Sequence, residues 1–359
     1  MTLHKKHVIK KIKSKISRAG IDALLLSDRG NIEYLAGYHT TGAMTLITRK
    51  GKPLYFVDAM NGTLAEKLLH GTELKVISGP GSVTEAMARC IKDGEIKKIG
   101  INTKALSVSV HDRISKLVPK VKLVPSIGAI PAGSVLDGIR KIKFPEEVRI
   151  LRKAAKETIR IWRDVRSKIS TGMSEQDIAA MIDTCVRGEG YRNSFSTIAA
   201  IAENTAFPHA TPTAKRLKNK EHLLVDFGIR FKGYCSDLTR IYDNGRMNGQ
   251  IRDLQKSVRK AHDLAINKIR PGLSIGSLVD EVNNSFGTDG FGDLILHGLG
   301  HGLGISIHEE PFLRSGCREK LREGMVITIE PGLYKPSVGG VREEDMVLVT
   351  ARGCEVLTR

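Results

Sequence analysis

Asp226 interrupts an apolar run, Leu223-Leu224-Val225-Asp226-Phe227-Gly228-Ile229-Arg230-Phe231, that otherwise reads as a buried strand. Lys232-Gly233 is a turn signal, and Tyr234 to Tyr242 reads as the returning strand, with Asp237 on it. A two-residue loop sets position 237 opposite 228, on the face that also carries 226. Two carboxylates placed diagonally across one hairpin face repel. Each raises the other's pKa unless a cation lies between them.

A second stretch, from His297-Gly298-Leu299-Gly300-His301-Gly302 to His308, holds three imidazoles and four glycines within twelve residues. A lone histidine is most often a packed residue, but this density marks a site, because glycine lets the backbone run close to a ligand. Met325 to Ile329 is a buried-type strand that ends on Glu330. In Gly339 to Val349, Arg342 and Glu344 are expected on one strand face. Carboxylates at the ends of apolar strands are costly unless paired or metal-bound.

The elements that must position these groups lie in the second part of the chain. Up to about Val124 short apolar runs alternate with helical stretches. Ala23 to Leu26, Met44 to Thr48 and Leu54 to Val57 read as strands, and Met60 to Leu69 and Ser82 to Lys92 as helices. The Gly- and Pro-containing stretch from Pro125 to Gly133 reads as a linker. Beyond it, Lys143-Phe144-Pro145-Glu146-Glu147 is a strong helix start, with Val148, Leu151, Ala155, Ile159, Trp162 and Val165 at helical spacing. This helix runs into Ser170-Thr171-Gly172-Met173-Ser174, a turn and a capped second helix. The pattern returns at Arg270-Pro271-Gly272-Leu273-Ser274. Such an echo suggests duplicated halves with a site at their shared interface.

The chain's 359 residues suit two domains. No apolar run approaches the ~18 residues of a membrane span, and no signal h-region stands near the N-terminus, so a cytoplasmic location is expected. Five scattered cysteines without a CxxC pair suggest neither a disulfide framework nor a thiolate zinc site. The net charge of +18 is uneven: residues 1–130 hold 22 Lys+Arg against 10 Asp+Glu. The basic run from Lys5 to Lys15 reads as a helix with Ile9, Ile12 and Ile16 as its buried stripe. Basic and aromatic residues do not interleave as on a single-strand binding face, so a solvated surface is preferred over a nucleic-acid partner.

Asp226-Phe227-Gly228, Ser236-Asp237-Leu238-Thr239-Arg240, Gly300-His301-Gly302, His308-Glu309-x-Pro311, Glu330-Pro331-Gly332 and Gly340-Val341-Arg342-x-Glu344-Asp345 resemble, in order, the motifs of the pita-bread metallopeptidases. Within them the chain is similar to the Xaa-Pro peptidases, aminopeptidase P and prolidase. Asn31-Ile32-Glu33-Tyr34-Leu35-Ala36-Gly37-Tyr38 resembles a pattern of their creatinase-like N-terminal domain. The resemblance implies an α/β (α+β) chain: a creatinase-like domain over 1–130, then a pita-bread catalytic domain over 131–359 with two pseudo-symmetric halves. It implies two divalent cations at Asp226, Asp237, His301, Glu330 and Glu344, with His209 and His308 as catalytic histidines. His297 would lie beside the substrate's prolyl ring, and Arg342 would support the bridging carboxylates.

Two adjacent cations lower the pKa of a shared water, and a histidine can hydrogen-bond the developing oxyanion. Glu330 is the expected proton shuttle. One imidazole with four carboxylates suits Mn²⁺ best, and Co²⁺ or Zn²⁺ less selectively. The expected substrates are peptides with proline second, and the expected assembly is a homodimer in which the segment Tyr38 to Gly42 serves as a lid. Prolidases of this type carry an arginine directly after the His-Glu-x-Pro stretch. This chain has Phe312-Leu313 there and Arg314 next. It also has Asp58-Ala59-Met60-Asn61 in place of an Asp-x-Arg-Tyr stretch. The alternatives are a pseudo-peptidase retained as a binding module, a non-prolyl metalloaminopeptidase, and the metal-free creatinase reaction, for which the five ligand-type residues have no use.

Overall fold

The computed structural model describes residues 2–127, 130–131, 134–245 and 247–359. The stretch expected as a linker, 125–133, lies partly outside the described residues. The chain forms two compact units, Met1–Arg140 and Lys141–Arg359.

In the first unit the basic helix Thr2–Arg18 buries Val8, Ile9, Ile12 and Ile16. A six-stranded sheet runs in the order Lys75–Ile77, Leu54–Phe56, Met44–Thr48, Ala23–Leu26, Lys98–Ile101, Lys122–Val124. Its middle strand, Ala23–Leu26, pairs antiparallel with Met44–Thr48 and parallel with Lys98–Ile101. All four of its residues are buried, as an unbroken apolar run requires when both faces are covered. Gly51, at φ 72°, makes the turn into Leu54–Phe56.

The second unit carries the echo of the sequence into three dimensions. Helices Pro145–Arg166 and Glu175–Gly188 back a three-stranded sheet of Ile198–Ile201, His222–Phe227 and Leu238–Asp243. Helices Gly249–Lys268 and Ile275–Thr288 back a five-stranded sheet that includes Gly300–Gly302, Val326–Ile329 and Asp345–Val349. Each half has its own apolar core, one around Trp162, Ile182 and Phe227, the other around Leu254, Phe286 and Ile327. The turns between paired helices are built alike. Gly172 N–H donates to Leu217 O and Gly272 N–H to Leu321 O, both at 2.8 Å. Ser174 bridges to Arg216, and Ser274 to Lys320.

The hairpin register is the one a two-residue loop sets, with Asp226 opposite Thr239 and Arg230 opposite Cys235. Its first arm is broken, however, into His222–Phe227 and Ile229–Phe231. At Gly228 a Cβ would stand 1.9 Å from Ser236 O, so only glycine lets the arms come this close. A second expectation is corrected. Arg342 and Glu344 do not share a strand, because Gly339–Arg342 ends before Glu343 and a new strand, Asp345–Val349, pairs with Val326–Ile329 instead.

Candidate active site

One cavity of about 700 Å³ in the second unit is lined by all nine residues singled out from the sequence: His209, Asp226, Asp237, His297, His301, His308, Glu330, Arg342 and Glu344. Asp226 and Asp237 come from the pinched hairpin. His301 sits on Gly300–Gly302, Glu330 just past Val326–Ile329, and Arg342 at the end of Gly339–Arg342. Glu344 lies between strands, with its backbone N–H on Thr239 O at 3.3 Å.

Atoms of Asp237, His301 and Glu344 lie within 4.8 Å of one another. His301 Nε2 stands 3.3 Å from Glu330 Oε1 and 3.7 Å from Asp237 Oδ2. Its other nitrogen, Nδ1, lies 3.1 Å from Gly302 O. A carbonyl only accepts, so Nδ1 carries the proton and Nε2 turns its lone pair to the carboxylates. Asp226 accepts from Arg342 Nη2 at 2.5 Å through Oδ2, while its buried Oδ1 has no hydrogen-bond partner.

Burial first, then the charges of Glu344, Asp226 and Glu330, push the Asp237 carboxyl well above its usual range. Burial and the charges of Glu330 and Asp226 do the same to Glu344. Burial raises Glu330 as well. Three buried carboxylates, Asp226, Asp237 and Glu344, and the partly buried Glu330 face one buried guanidinium, and such a set is stable as anions only with further positive charge among them. The donor set, four carboxylates and one inward imidazole nitrogen, and the unpartnered Asp226 oxygen fit divalent cations.

Arg342 organises the wall beside them. Its Nη1 donates to Tyr334 OH at 2.7 Å and its Nε to Thr239 Oγ1 at 3.0 Å. Thr239 Oγ1 in turn donates to Glu344 Oε2 at 2.8 Å. Tyr334 OH lies 2.7 Å from His297 Nε2, and His297 Nδ1 lies 2.8 Å from Gly298 O. Gly298 O accepts the Nδ1 proton, so Nε2 accepts from Tyr334, and both ring nitrogens of His297 are engaged. His308 stands edge-on to His301, with ring centroids 4.4 Å apart. Burial, and then the neighbouring imidazoles, hold its pKa down at about 4.

Sequence reading passed over Tyr334 and gave Thr239 no role. A hint lay in Gly339-Gly340: a Cβ at Gly340, cross-strand from Tyr334, would stand 2.5 Å from the tyrosine ring. It also passed over Phe195, Ser196 and Thr197 in the cavity wall. Phe312 and Leu313, which stand where the prolidase pattern has an arginine, and Arg314 beyond them all line the cavity.

The family model of metallopeptidase family M24 matches residues 149–351, and that of the creatinase/prolidase N-terminal domain matches residues 9–141. The chain is 30% identical over 353 residues to an uncharacterized peptidase of Bacillus subtilis, YqhT, covering 98% of this chain and 97% of the relative. Among solved structures it is similar to an Xaa-Pro dipeptidase from Bacillus anthracis, at TM-score 0.91 and 28% identity, covering 99% and 98% of the two chains. It is also similar to the prolidase from Pyrococcus horikoshii, at TM-score 0.90 and 28% identity, covering 98% of each. Matching motifs, fold and cavity agree: the chain is a peptidase of metallopeptidase family M24, with a creatinase/prolidase-type N-terminal domain ahead of its catalytic domain.

Proposed function

We propose that this peptidase hydrolyses the bond between an N-terminal residue and a following proline, with two divalent cations held by Asp226, Asp237, His301, Glu330 and Glu344. The observation that carries the reading is the convergence of four carboxylates, three of them buried, and the inward Nε2 of His301, with one oxygen of Asp226 left unpartnered. Mn²⁺ is the favoured ion for so oxygen-rich a set. Bound there, the cations would lower the pKa of an attacking water and polarise the scissile carbonyl.

The protein groups supply the rest. An X-Pro bond is a tertiary amide with no N–H, so its nitrogen must receive a proton as it leaves. Glu330, whose affinity for protons is raised, is the group to carry it. His308, neutral at pH 7, can donate its ring N–H to the developing oxyanion, and His209, which lines the same cavity, joins it. His297, with both nitrogens occupied, offers the cavity carbon atoms rather than polar ones, which suits a pyrrolidine ring.

What supports short substrates is Arg314. Its guanidinium has no hydrogen bond or ion pair among the described residues, and it lines the same cavity as the ligands. It is available to a free substrate carboxylate. We also infer a homodimer, with the segment Tyr38 to Gly42 as a lid over the neighbouring subunit's site. Sedimentation showing only monomer at micromolar concentration would count against it.

The deciding experiment is hydrolysis of Ala-Pro against Ala-Pro-Pro-Ala, with Mn²⁺ titrated into stripped protein. Equal cleavage of Ala-Pro, Ala-Ala and Met-Ala by the unmodified enzyme would leave a metallopeptidase without prolyl selectivity.

A further inference from the structure

The segment that carries His209 runs from the short helix Ala202–Ala206 to Thr213, and five of its residues, Pro208 to Pro212, line the cavity. Little of it is buried. Phe207 is 65% exposed, and His209 and Thr211 are exposed too. Burial of apolar side chains therefore does not hold this loop in place.

Glu175 does the holding. It is the first residue of helix Glu175–Gly188 and is 0% exposed. Its Oε1 accepts from Ile201 N at 2.7 Å and Asn204 Nδ2 at 2.9 Å, where the loop begins. Its Oε2 accepts from Thr213 N at 2.8 Å and Thr213 Oγ1 at 2.5 Å, where the loop ends. One carboxylate thus closes both ends of the segment through four charge-assisted hydrogen bonds, which are the strong kind in a buried setting. Other ties reach the incoming arm: Gly340 N donates to Thr205 Oγ1 at 2.6 Å, Thr205 Oγ1 lies 2.9 Å from His222 Nε2, Glu203 pairs with Lys215, and Arg342 Nη1 donates to Pro208 O at 3.4 Å.

The duplicated half supplies an internal control. There the same turn is followed by Ile275, also 0% exposed, whose N–H donates to Glu319 O at 2.9 Å just as Glu175 N–H donates to Lys215 O at 3.0 Å. The turn and the helix start are complete with an apolar residue at this position. The carboxylate answers a need found only in the half that bears the histidine loop.

We propose that Glu175 is a positioning residue whose buried carboxylate clasps both ends of the 202–213 loop and so sets where His209 meets the substrate. It rests on the catalytic reading of His209. Glu175→Gln keeps the side chain's shape but turns an NH₂ toward the donors at one end, so one end of the clasp opens.

The test has two arms. Amide hydrogen exchange over residues 201–213, which needs no activity, should be faster in metal-loaded Glu175→Gln than in the unmodified holoenzyme, with metal content little changed. In the kinetic arm, Glu175→Gln should lower kcat on Ala-Pro on the order of 10- to 100-fold. In the His209→Ala background the same change should cost little more, because the group being positioned is gone. Unchanged exchange over residues 201–213, or an equal loss of kcat in both backgrounds, overturns the proposal. If Glu175→Gln does not fold, Thr213→Val removes one hydroxyl from the clasp and takes the same two arms. An unmodified enzyme inactive on prolyl peptides would fault the function reading alone, and the exchange arm would still judge the clasp.

Discussion

Arg342 Nη2 stands 2.5 Å from Asp226 Oδ2, while Asp226 Oδ1 is buried with no hydrogen-bond partner. The same guanidinium holds Tyr334 and, through Thr239, Glu344. Lysine carries the charge but not the planar fork that reaches Asp226, Tyr334, Thr239 and Pro208 O together. Arg342→Lys should therefore lose roughly 2–4 kcal/mol of transition-state stabilisation, about thirty- to a thousand-fold in kcat/KM. Kinetics on Ala-Pro beside metal analysis checks this, and a variant within about threefold of the parent speaks against the role.

Asp237 is held unfavourably as an anion by burial and three neighbouring carboxylates. Asp237→Ala should abolish metal-dependent hydrolysis. In stripped protein, however, it should melt no lower than the parent, because a repelling charge has been removed. Calorimetry on both stripped proteins reads this directly. Full activity in the variant, or in the parent with chelator present, would sink the metal reading.

The raised carboxyls of Asp237, Glu330 and Glu344 also make stability depend on pH in a stated direction. A carboxyl whose pKa is higher folded than unfolded contributes stability that is fully present below the usual carboxylate range and is lost as pH rises through the folded value. The imidazoles of His222 and His308, held down at about 4, act in the opposite sense only below neutrality. Above the usual carboxylate range the gap in thermal midpoint between Mn²⁺-loaded and stripped protein should widen as pH rises. Parallel curves over that range would refute it.

His308→Ala should lower turnover roughly thirty- to a thousand-fold, equivalent to ~2–4 kcal/mol, with metal content near that of the parent. Tyr334→Phe should act through His297 instead, since it frees Nε2 and unfixes the ring. Its expected signature is weaker preference for Ala-Pro over Ala-Ala. Unchanged selectivity in Tyr334→Phe and in His297→Ala alike would remove His297 from substrate recognition.

Arg314→Ala should raise KM for Ala-Pro about tenfold, the order of one exposed charge-assisted contact. It should leave Ala-Pro amide, which has no free carboxylate, unaffected. Equal effects on both substrates would mean that Arg314 does not read the carboxylate.

Residue type and spacing already determined much of this molecule. Asp226 breaking an apolar run, three histidines among four glycines, and Glu330 at a strand end are local anomalies, visible because each sets a polar group where periodicity calls for an apolar one. The echo of the two helix turns was legible for the same reason, since glycine and a capping serine leave a local signature. What only tertiary structure decided are meetings between distant segments. Tyr334 is an ordinary strand residue until Gly340 lets its ring lie flat and Arg342 and His297 close on its hydroxyl. Glu344 reaches the cavity from a break between strands, anchored to Thr239 more than a hundred residues earlier. Glu175 reads as a helix-start carboxylate, favoured there by the helix's positive end. Its four partners come from residues 201, 204 and 213, whose return to the helix start no local pattern encodes.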